Sequence, residues 1–549
     1  MIRSRLVLSK ATPIAPRGLV TAEHPAGADI GAEILARGGN AVDAAVATAF
    51  AMPVVEPFMS TIAGAGTMMI HVAKTGETVC LDFNGNAPMA AHASIYTLIG
   101  GVATYALFAW PRVENDANVY GYRSVAVPGS VAGLSMALER YGTMTLKDVV
   151  APAVKLARDG FIADWYQALN TAKYLEELSA FPETSRIHLR NGRSVYRPPS
   201  MEAGDRVKNP DLAASMELIG REGPDAFYRG AIAQAIHNDM AANGGLITKD
   251  DLAAYQVRVV APLRGRYRDL DLAFSPGATG GTTALEILNI LEQFAPSACG
   301  YDTAAGLHVR AEAVRRAFAD RFRQIGDPQV VGDGFQVLAS KDYAKEAARE
   351  IRRGGTQTGR SRPSNDCTTH VSVVDKSRNM VALTHTAVSL WGSRVVVPGT
   401  GILLNNGMIW FDPEPGKPNS IAPGKRGMVN MVPVLGFKKG KPHLALGAPG
   451  GRKIIGAIPQ VIANLADTKA SLQEAIDAPR LHDEGSGLEI DDRVGDKNMD
   501  ALRKRGHTVV RKTETYASLN FARPVGVRVT AKGLEAGLDS FGAAAAAGH

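Results

Sequence analysis

Apolar positions recur at two spacings along the chain, and the change of spacing divides it into blocks. Over residues 26–52 the spacing is helical, interrupted at Gly38-Gly39. Two helices are predicted there, with Asn40 as N-cap of the second and Pro53 just past its end. Residues 64–83 alternate instead. MMIHVAKTGETVCLDF reads as a hairpin turned at Lys74-Thr75-Gly76. Helical spacing then dominates 128–350, in GSVAGLSMALERYG (129–142), LKDVVAPAVKLARDG (146–160), AIAQAIHNDMAANGG (231–245), TALEILNILEQF (283–294) and GLHVRAEAVRRAFADRF (306–322).

A polar stretch at 351–366, IRRGGTQTGRSRPSND, carries no apolar period and predicts a mobile linker. Alternation resumes directly after it. Strands are predicted at 369–375 and 379–388, joined by a turn at Lys376-Ser377-Arg378, and further on at 394–404, 432–438 and 442–447. Helices return at 455–466 and 470–478. The Ala-rich tail at 543–549 reads as frayed. The chain has no internal repeat and no regular strand–helix alternation, which predicts a layered α+β fold rather than a doubly wound sheet.

Composition narrows the function classes. With 549 residues, 45% of them hydrophobic, a large core is assured, in one large domain or several smaller ones. The net charge of +7 is spread through interleaved acids and bases. No basic stripe with neighbouring aromatics occurs, so nucleic acid is not an expected partner. Cys80, Cys299 and Cys367 are too few for a disulfide framework, and neither CxxC nor HExxH is present. No metal and no cofactor is therefore expected. MIRSRLVLSKATPIAPRG lacks the apolar core of a secretory signal, and no apolar run approaches membrane-spanning length. The expectation is a cytoplasmic protein with no membrane partner.

The candidate chemistry lies where the linker meets the strand, at Asp366-Cys367-Thr368-Thr369-His370. A threonine there can attack its own preceding carbonyl and cut the chain through an ester. The freed α-amine then serves as general base for the same hydroxyl. Thr-Thr is also an ordinary strand start, since Thr is β-branched. Cleavage before Cys367 would instead yield a cysteine nucleophile. Farther along, the Pro-Gly-Gly turn in Gly447-Ala448-Pro449-Gly450-Gly451-Arg452 can expose successive N–H groups to an oxyanion, or be only a tight turn. Phosphate-loop and nucleophile-elbow patterns are absent.

Taken together these segments resemble the γ-glutamyltranspeptidase family nearly end to end. The resemblance is carried by GLVTAEHP (18–25), ILARGGNAVDAAVA (34–47), VPGSVAGL (127–134), GGLITKDDLAAYQV (244–257), TTHVSVVD (368–375), GTGILLNN (399–406) and GAPGGRK (447–453). It implies the four-layer αββα sandwich of N-terminal-nucleophile hydrolases, with a helix-rich section in the large subunit. It implies autocleavage between Cys367 and Thr368 into a large subunit, 1–367, and a small subunit, 368–549, which associate. It implies Thr368 as nucleophile, Thr386 as its supporting hydroxyl, and Gly450 and Gly451 as oxyanion-hole glycines.

The departures concern the substrate. Where the family's glutamyl enzymes hold the α-carboxylate with Arg, this chain has Asn84, and Val429 and Asn430 stand where a serine pair would be. Val388, Gly407 and Trp410 replace an Asn, a Gln and an Asp that bind the α-amine. The lid segment, 412–422, is short. Charge-assisted bonds of this kind contribute about 1.5–3 kcal/mol each, so loss of several implies a different acyl group. Leu390-Trp391-Gly392-Ser393-Arg394 followed by VPGTG resembles the cephalosporin-acylase-like branch. The expected function is hydrolysis or transfer at a small-molecule amide, with Arg452, Arg394 and His385 as candidates for holding a substrate carboxylate. A γ-glutamyl hydrolase or transpeptidase with an atypical clamp, and a scaffold without catalysis, are the alternatives.

Overall fold

The computed structural model describes residues 8–103, 110–354, 367–518 and 520–549. At its centre two seven-stranded antiparallel sheets face one another. The first runs in the order Ala545–Gly548, Leu19–Ala22, Thr369–Val374, Met380–Thr386, Ala65–Val72, Glu77–Phe83, Arg258–Val260. The second runs Ile14–Ala15, Gly533–Leu538, Val525–Thr530, Lys441–Gly447, Val434–Lys438, Leu270–Phe274, Leu263–Tyr267.

Three apolar layers account for this arrangement. Leu19, Met69, Val374, Ala382, Leu435 and Val527 are among the side chains packed between the sheets. Helices Pro25–Ala36, Ala41–Val55 and Ser130–Tyr141 cover the outer face of the first sheet, while Gly281–Glu292 and Lys453–Asp467 cover that of the second. This is the expected αββα sandwich. A strand with both faces packed cannot alternate apolar with polar, and all six residues of Thr369–Val374 are buried.

The predicted hairpin at 64–83 forms as Ala65–Val72 and Glu77–Phe83. Asn40 caps its helix reciprocally. Its side chain accepts from Val42 N and Asp43 N, and Asp43 accepts from Asn40 N at 2.7 Å. Pro53 corrects one boundary, since it lies inside the last turn of Ala41–Val55. Of the strand expected at 394–404, only Val396–Val397 and Ile402–Leu403 form, because Gly399 and Gly401 both take positive φ and fold the intervening residues into a turn. The tail expected to fray is instead a strand. Ala545–Gly548 pairs with Leu19–Ala22, and His549 exchanges backbone hydrogen bonds with Gly18. Backbone groups bond regardless of side chain, which an apolar period cannot register. Of the predicted linker, 351–354 finish helix Lys341–Arg352 and its cap, and 355–366 lie outside the described residues. No described helix is long and apolar enough to cross a membrane.

Candidate active site

Cys367 and Thr368 stand at the mouth of strand Thr369–Val374, in the middle of the first sheet, and both are buried. The Cys367 thiol lies 2.8 Å from Phe58 O and 3.0 Å from Met59 O, within an apolar cluster that includes Phe58, Tyr166, Leu390 and Trp391. The Thr368 hydroxyl instead makes a close contact with the carbonyl oxygen of Cys367.

Thr386 reaches the same carbonyl from the neighbouring strand. Its Oγ1 donates to Cys367 O at 3.1 Å and accepts from Val388 N at 2.8 Å. With an N–H occupying the acceptor side, the hydroxyl proton points at the carbonyl. Val388 holds that N–H in place at φ 91°, a conformation that a β-branched residue adopts only under constraint.

The Pro-Gly-Gly turn follows strand Lys441–Gly447. Gly450 has φ 129° and Gly451 φ 52°. A Cβ on Gly450 would come within 2.5 Å of Ala522 Cα, so backbone approach as well as φ demands glycine there. Among the described residues, no acceptor is bonded to the N–H of Gly450 or Gly451. Gly447 is glycine for another reason, since a Cβ would strike the His370 ring. That ring is buried between Thr384 Oγ1 at 2.9 Å and Ser372 Oγ at 3.1 Å, and burial pushes its pKa down to about 3.

Of the substrate candidates, Val388 and Trp410 meet in one apolar cluster together with Ala65, Ile409, Met428, Val429 and Met431. Asn84 is buried at the end of its strand. Its Nδ2 donates to Asp82 Oδ1 at 2.6 Å and Thr67 Oγ1 at 3.2 Å, and its Oδ1 has no protein partner. Asn84 and Val429 together line a cavity of about 300 Å³, whose wall also carries Gln329, Gln336 and the ion pairs Arg258–Asp327 and Arg426–Asp82. Asn430 is buried with its Oδ1 likewise unpartnered.

Arg452, Arg394 and His385 are each engaged by other protein groups. Arg452 pairs with Glu484 at 2.8 Å, which the guanidinium and His482 hold well below the usual carboxylate range despite burial. Arg394 pairs with Glu177, donates to Gly392 O, and lies over the rings of Tyr174 and Tyr120. His385 contacts Ser130 Oγ at 2.8 Å and Thr61 O at 2.9 Å, and burial pushes its pKa down to about 4, so it is neutral.

Sequence reasoning passed over the residues that brace the pocket. Asn419 donates to Trp410 O at 2.7 Å and accepts from Met428 N, joining two walls of the apolar cluster. Asn406 holds Ser389 through N–H and hydroxyl contacts. Arg321, wholly buried, donates to Thr279 O and Val429 O. Burial pushes its pKa down to about 9. The Asn-Asn pair at 405–406 was the available signal, because adjacent buried amides require a dense set of partners.

Comparison with known proteins agrees with this geometry. The gamma-glutamyltranspeptidase family model matches residues 27–549. The Acylase ACY 1 proenzyme of Pseudomonas sp. (strain SE83) is 38% identical over 92% of this chain and 89% of its own length. The glutathione hydrolase proenzyme of Escherichia coli (strain K12) is 36% identical over 91% of this chain and 87% of its own. Among solved structures, the cephalosporin acylase of Bacillus halodurans superposes with a TM-score of 0.86 at 26% identity, covering 100% of this chain and 98% of that one. A threonine at a buried strand mouth, a second hydroxyl on its preceding carbonyl, and a match over nearly the whole length place this chain in the γ-glutamyltranspeptidase family of autoprocessing hydrolases and acyltransferases.

Proposed function

We propose that the chain cuts itself between Cys367 and Thr368, and that Thr368 then opens the amide bond of a small molecule whose acyl group is not γ-glutamyl. The carrying observation is the double engagement of Cys367 O by Thr368 and Thr386. In the first step Thr368 Oγ1 attacks the Cys367 carbonyl carbon, and the hydroxyl proton passes to the departing nitrogen. The peptide bond becomes an ester. Thr386 donates to the oxygen that carries negative charge in the tetrahedral intermediate. Water then hydrolyses the ester, leaving a Cys367 carboxylate and a free Thr368 α-amine.

In turnover that amine takes the Thr368 hydroxyl proton as the oxygen attacks the substrate carbonyl. The N–H groups of Gly450 and Gly451 receive the oxyanion. The leaving amine departs with a proton, and water or a second amine releases the acyl group from Thr368. The pieces 1–367 and 368–549 stay together because both sheets interleave strands from the two sides of the cut.

The acyl preference rests on Val388, Trp410 and Val429 sharing one apolar cluster. A zwitterionic glutamyl end would meet apolar side chains there, which is unfavourable, and the nearby Arg258 and Arg426 already pair with Asp327 and Asp82. Arg452 and Arg394 are engaged with Glu484 and Glu177 in this reading, rather than with substrate. The 36% identity to a glutathione hydrolase proenzyme favours γ-glutamyl hydrolysis as the second reading. Intact mass spectrometry followed by kinetics on paired 4-nitroanilides tests both. Masses for 1–367 and 368–549, with faster turnover of aliphatic than γ-glutamyl anilides, are expected. A single full-length mass overturns the cleavage, and preferred γ-glutamyl turnover overturns the acyl assignment.

A further inference from the structure

The sequence contains no standard metal motif, yet the fold brings together three ligand-type side chains far from Thr368 in the chain. His308 and Glu312 lie one turn apart on helix Ala304–Gln324, and His507 follows helix Asp496–Lys504. All three are buried, and one ligand atom from each lies within 4.8 Å of the others. His308 Nδ1 and His507 Nε2 face each other at 2.7 Å.

The surrounding charges are unevenly matched. Arg315 donates to Glu312 Oε1 at 3.0 Å and to Asp483 Oδ2 at 2.6 Å, so one guanidinium serves two buried carboxylates. The second oxygen of Glu312 is buried without a hydrogen-bond partner. Arg316, the next basic residue on the helix, pairs with Glu350, while Arg505 lies near enough to act electrostatically on both imidazoles. Two imidazoles and a carboxylate with one oxygen free of hydrogen bonds form a donor set suited to Zn²⁺ or a similar borderline divalent ion.

We propose that His308, Glu312 and His507 bind one borderline divalent transition-metal ion, with Zn²⁺ the best fit. With Zn–N bonds of about 2.0–2.1 Å, two tetrahedral ligand nitrogens stand roughly 3.3 Å apart. The imidazoles therefore separate by about half an ångström. In the metal-free arrangement Arg315 donates to His507 Nδ1 at 3.2 Å, which places the His507 proton on Nε2, toward His308. Metal binding moves that proton to Nδ1, and Arg315 gives up this contact while keeping its bonds to Asp483. No proton is lost in the exchange of neutral tautomers. His308 and Glu312 belong to 1–367 and His507 to 368–549. Where the chain is cut as proposed above, the ion joins the two pieces; binding itself does not depend on the cut.

The test uses untagged, chelator-treated full-length protein, with ZnCl₂ added, excess removed by gel filtration, and zinc measured by mass spectrometry. One equivalent per chain is expected for the wild type and for Thr368→Ala, and loss of that equivalent for His308→Gln/His507→Gln. Co²⁺ titration of the wild type supplies a readout needing no variant, since nitrogen–oxygen coordination of low symmetry gives strong visible ligand-field bands. Absence of retained zinc in the wild type, a Co²⁺ spectrum like that of the free aqueous ion, or an undiminished equivalent in the double variant overturns the proposal. Because the Thr368→Ala chain is included, failure of the cleavage reading leaves this result independent.

Discussion

Thr386 Oγ1 sits 3.1 Å from the carbonyl oxygen of Cys367, and Val388 N–H, 2.8 Å behind it, leaves its proton only that direction. The strained Val388 backbone, at φ 91°, is thus coupled through Thr386 to the Cys367 carbonyl, the group proposed above to be attacked by Thr368.

Removing the hydroxyl tests this arrangement. Thr386→Val keeps the shape and burial of the side chain but loses the donor to Cys367 O. Self-cleavage is expected to slow about 10²–10³-fold, the effect typical of one oxyanion donor. The time course of the 1–367 fragment on denaturing gels measures it, and an unchanged rate would remove Thr386 from the mechanism.

Thr368→Ala should remain one full-length chain without amidase activity, because the proposed mechanism puts nucleophile and base on that residue. Thr368→Ser should still cut itself, more slowly. Intact mass spectrometry distinguishes these outcomes. A break at 366/367 would transfer the role to Cys367, whose thiol is instead held against Phe58 O and Met59 O.

Gly450→Ala places a Cβ 2.5 Å from Ala522 Cα at φ 129°. A loss of roughly 1–3 kcal/mol in stability is expected from the backbone strain, with turnover falling more than substrate affinity. Denaturant melts and separate kcat and KM values check this. A rise in KM with kcat unchanged would argue that the turn binds substrate rather than the oxyanion.

Asn84→Arg alone should not confer γ-glutamyl turnover. Asn84 is buried against Asp82 and Thr67, and Asp82 already pairs with Arg426 at 2.7 Å. A second guanidinium would compete for that carboxylate, and Val429 and Trp410 would stay apolar. Release of 4-nitroaniline from γ-glutamyl-4-nitroanilide should remain within about tenfold of the wild type; a gain near 10³-fold, about 4 kcal/mol, would refute this pocket assignment.

Burial holds His370 at about 3 and His385 at about 4, both below the value near 6.5 of an unfolded histidine. Between those values the unfolded chain takes up protons that the folded chain refuses. Their contribution to stability is therefore complete above about pH 6.5 and is lost progressively as pH falls through the folded values. The denaturation midpoint of the Thr368→Ala precursor should drop between pH 7 and pH 5, and drop less in the added presence of His370→Gln. An identical slope in both proteins would show that His370 takes no part.

The helices and the central hairpins were legible in the chain because their signals are local. Period, caps and turns located Asn40, the 74–76 turn and the change of texture before Thr368 within a few residues. Pro53 and the alanine tail were misjudged for opposite reasons. A proline can occupy a last turn that tertiary packing supports, and an alanine run can form a strand when a neighbouring backbone edge needs partners. The fates of Arg394, His385 and Arg452 were illegible, since a charged side chain's partner can be any residue the fold brings near.

The sequence by itself determined the layered α+β class, the main helices and hairpins, the Cys367-Thr368 junction and the substitutions at Asn84, Val388 and Trp410. The class and the elements follow from residue type and spacing; the junction's role and the substitutions follow from the resemblance to the γ-glutamyltranspeptidase family. Only the tertiary structure decided that Thr386 touches the carbonyl of Cys367, that Val388, Trp410 and Val429 share one apolar wall, and that His507 meets His308 across 199 positions of chain. Such contacts depend on how two sheets stack and which side chains their burial excludes from water, and neither is encoded at short range.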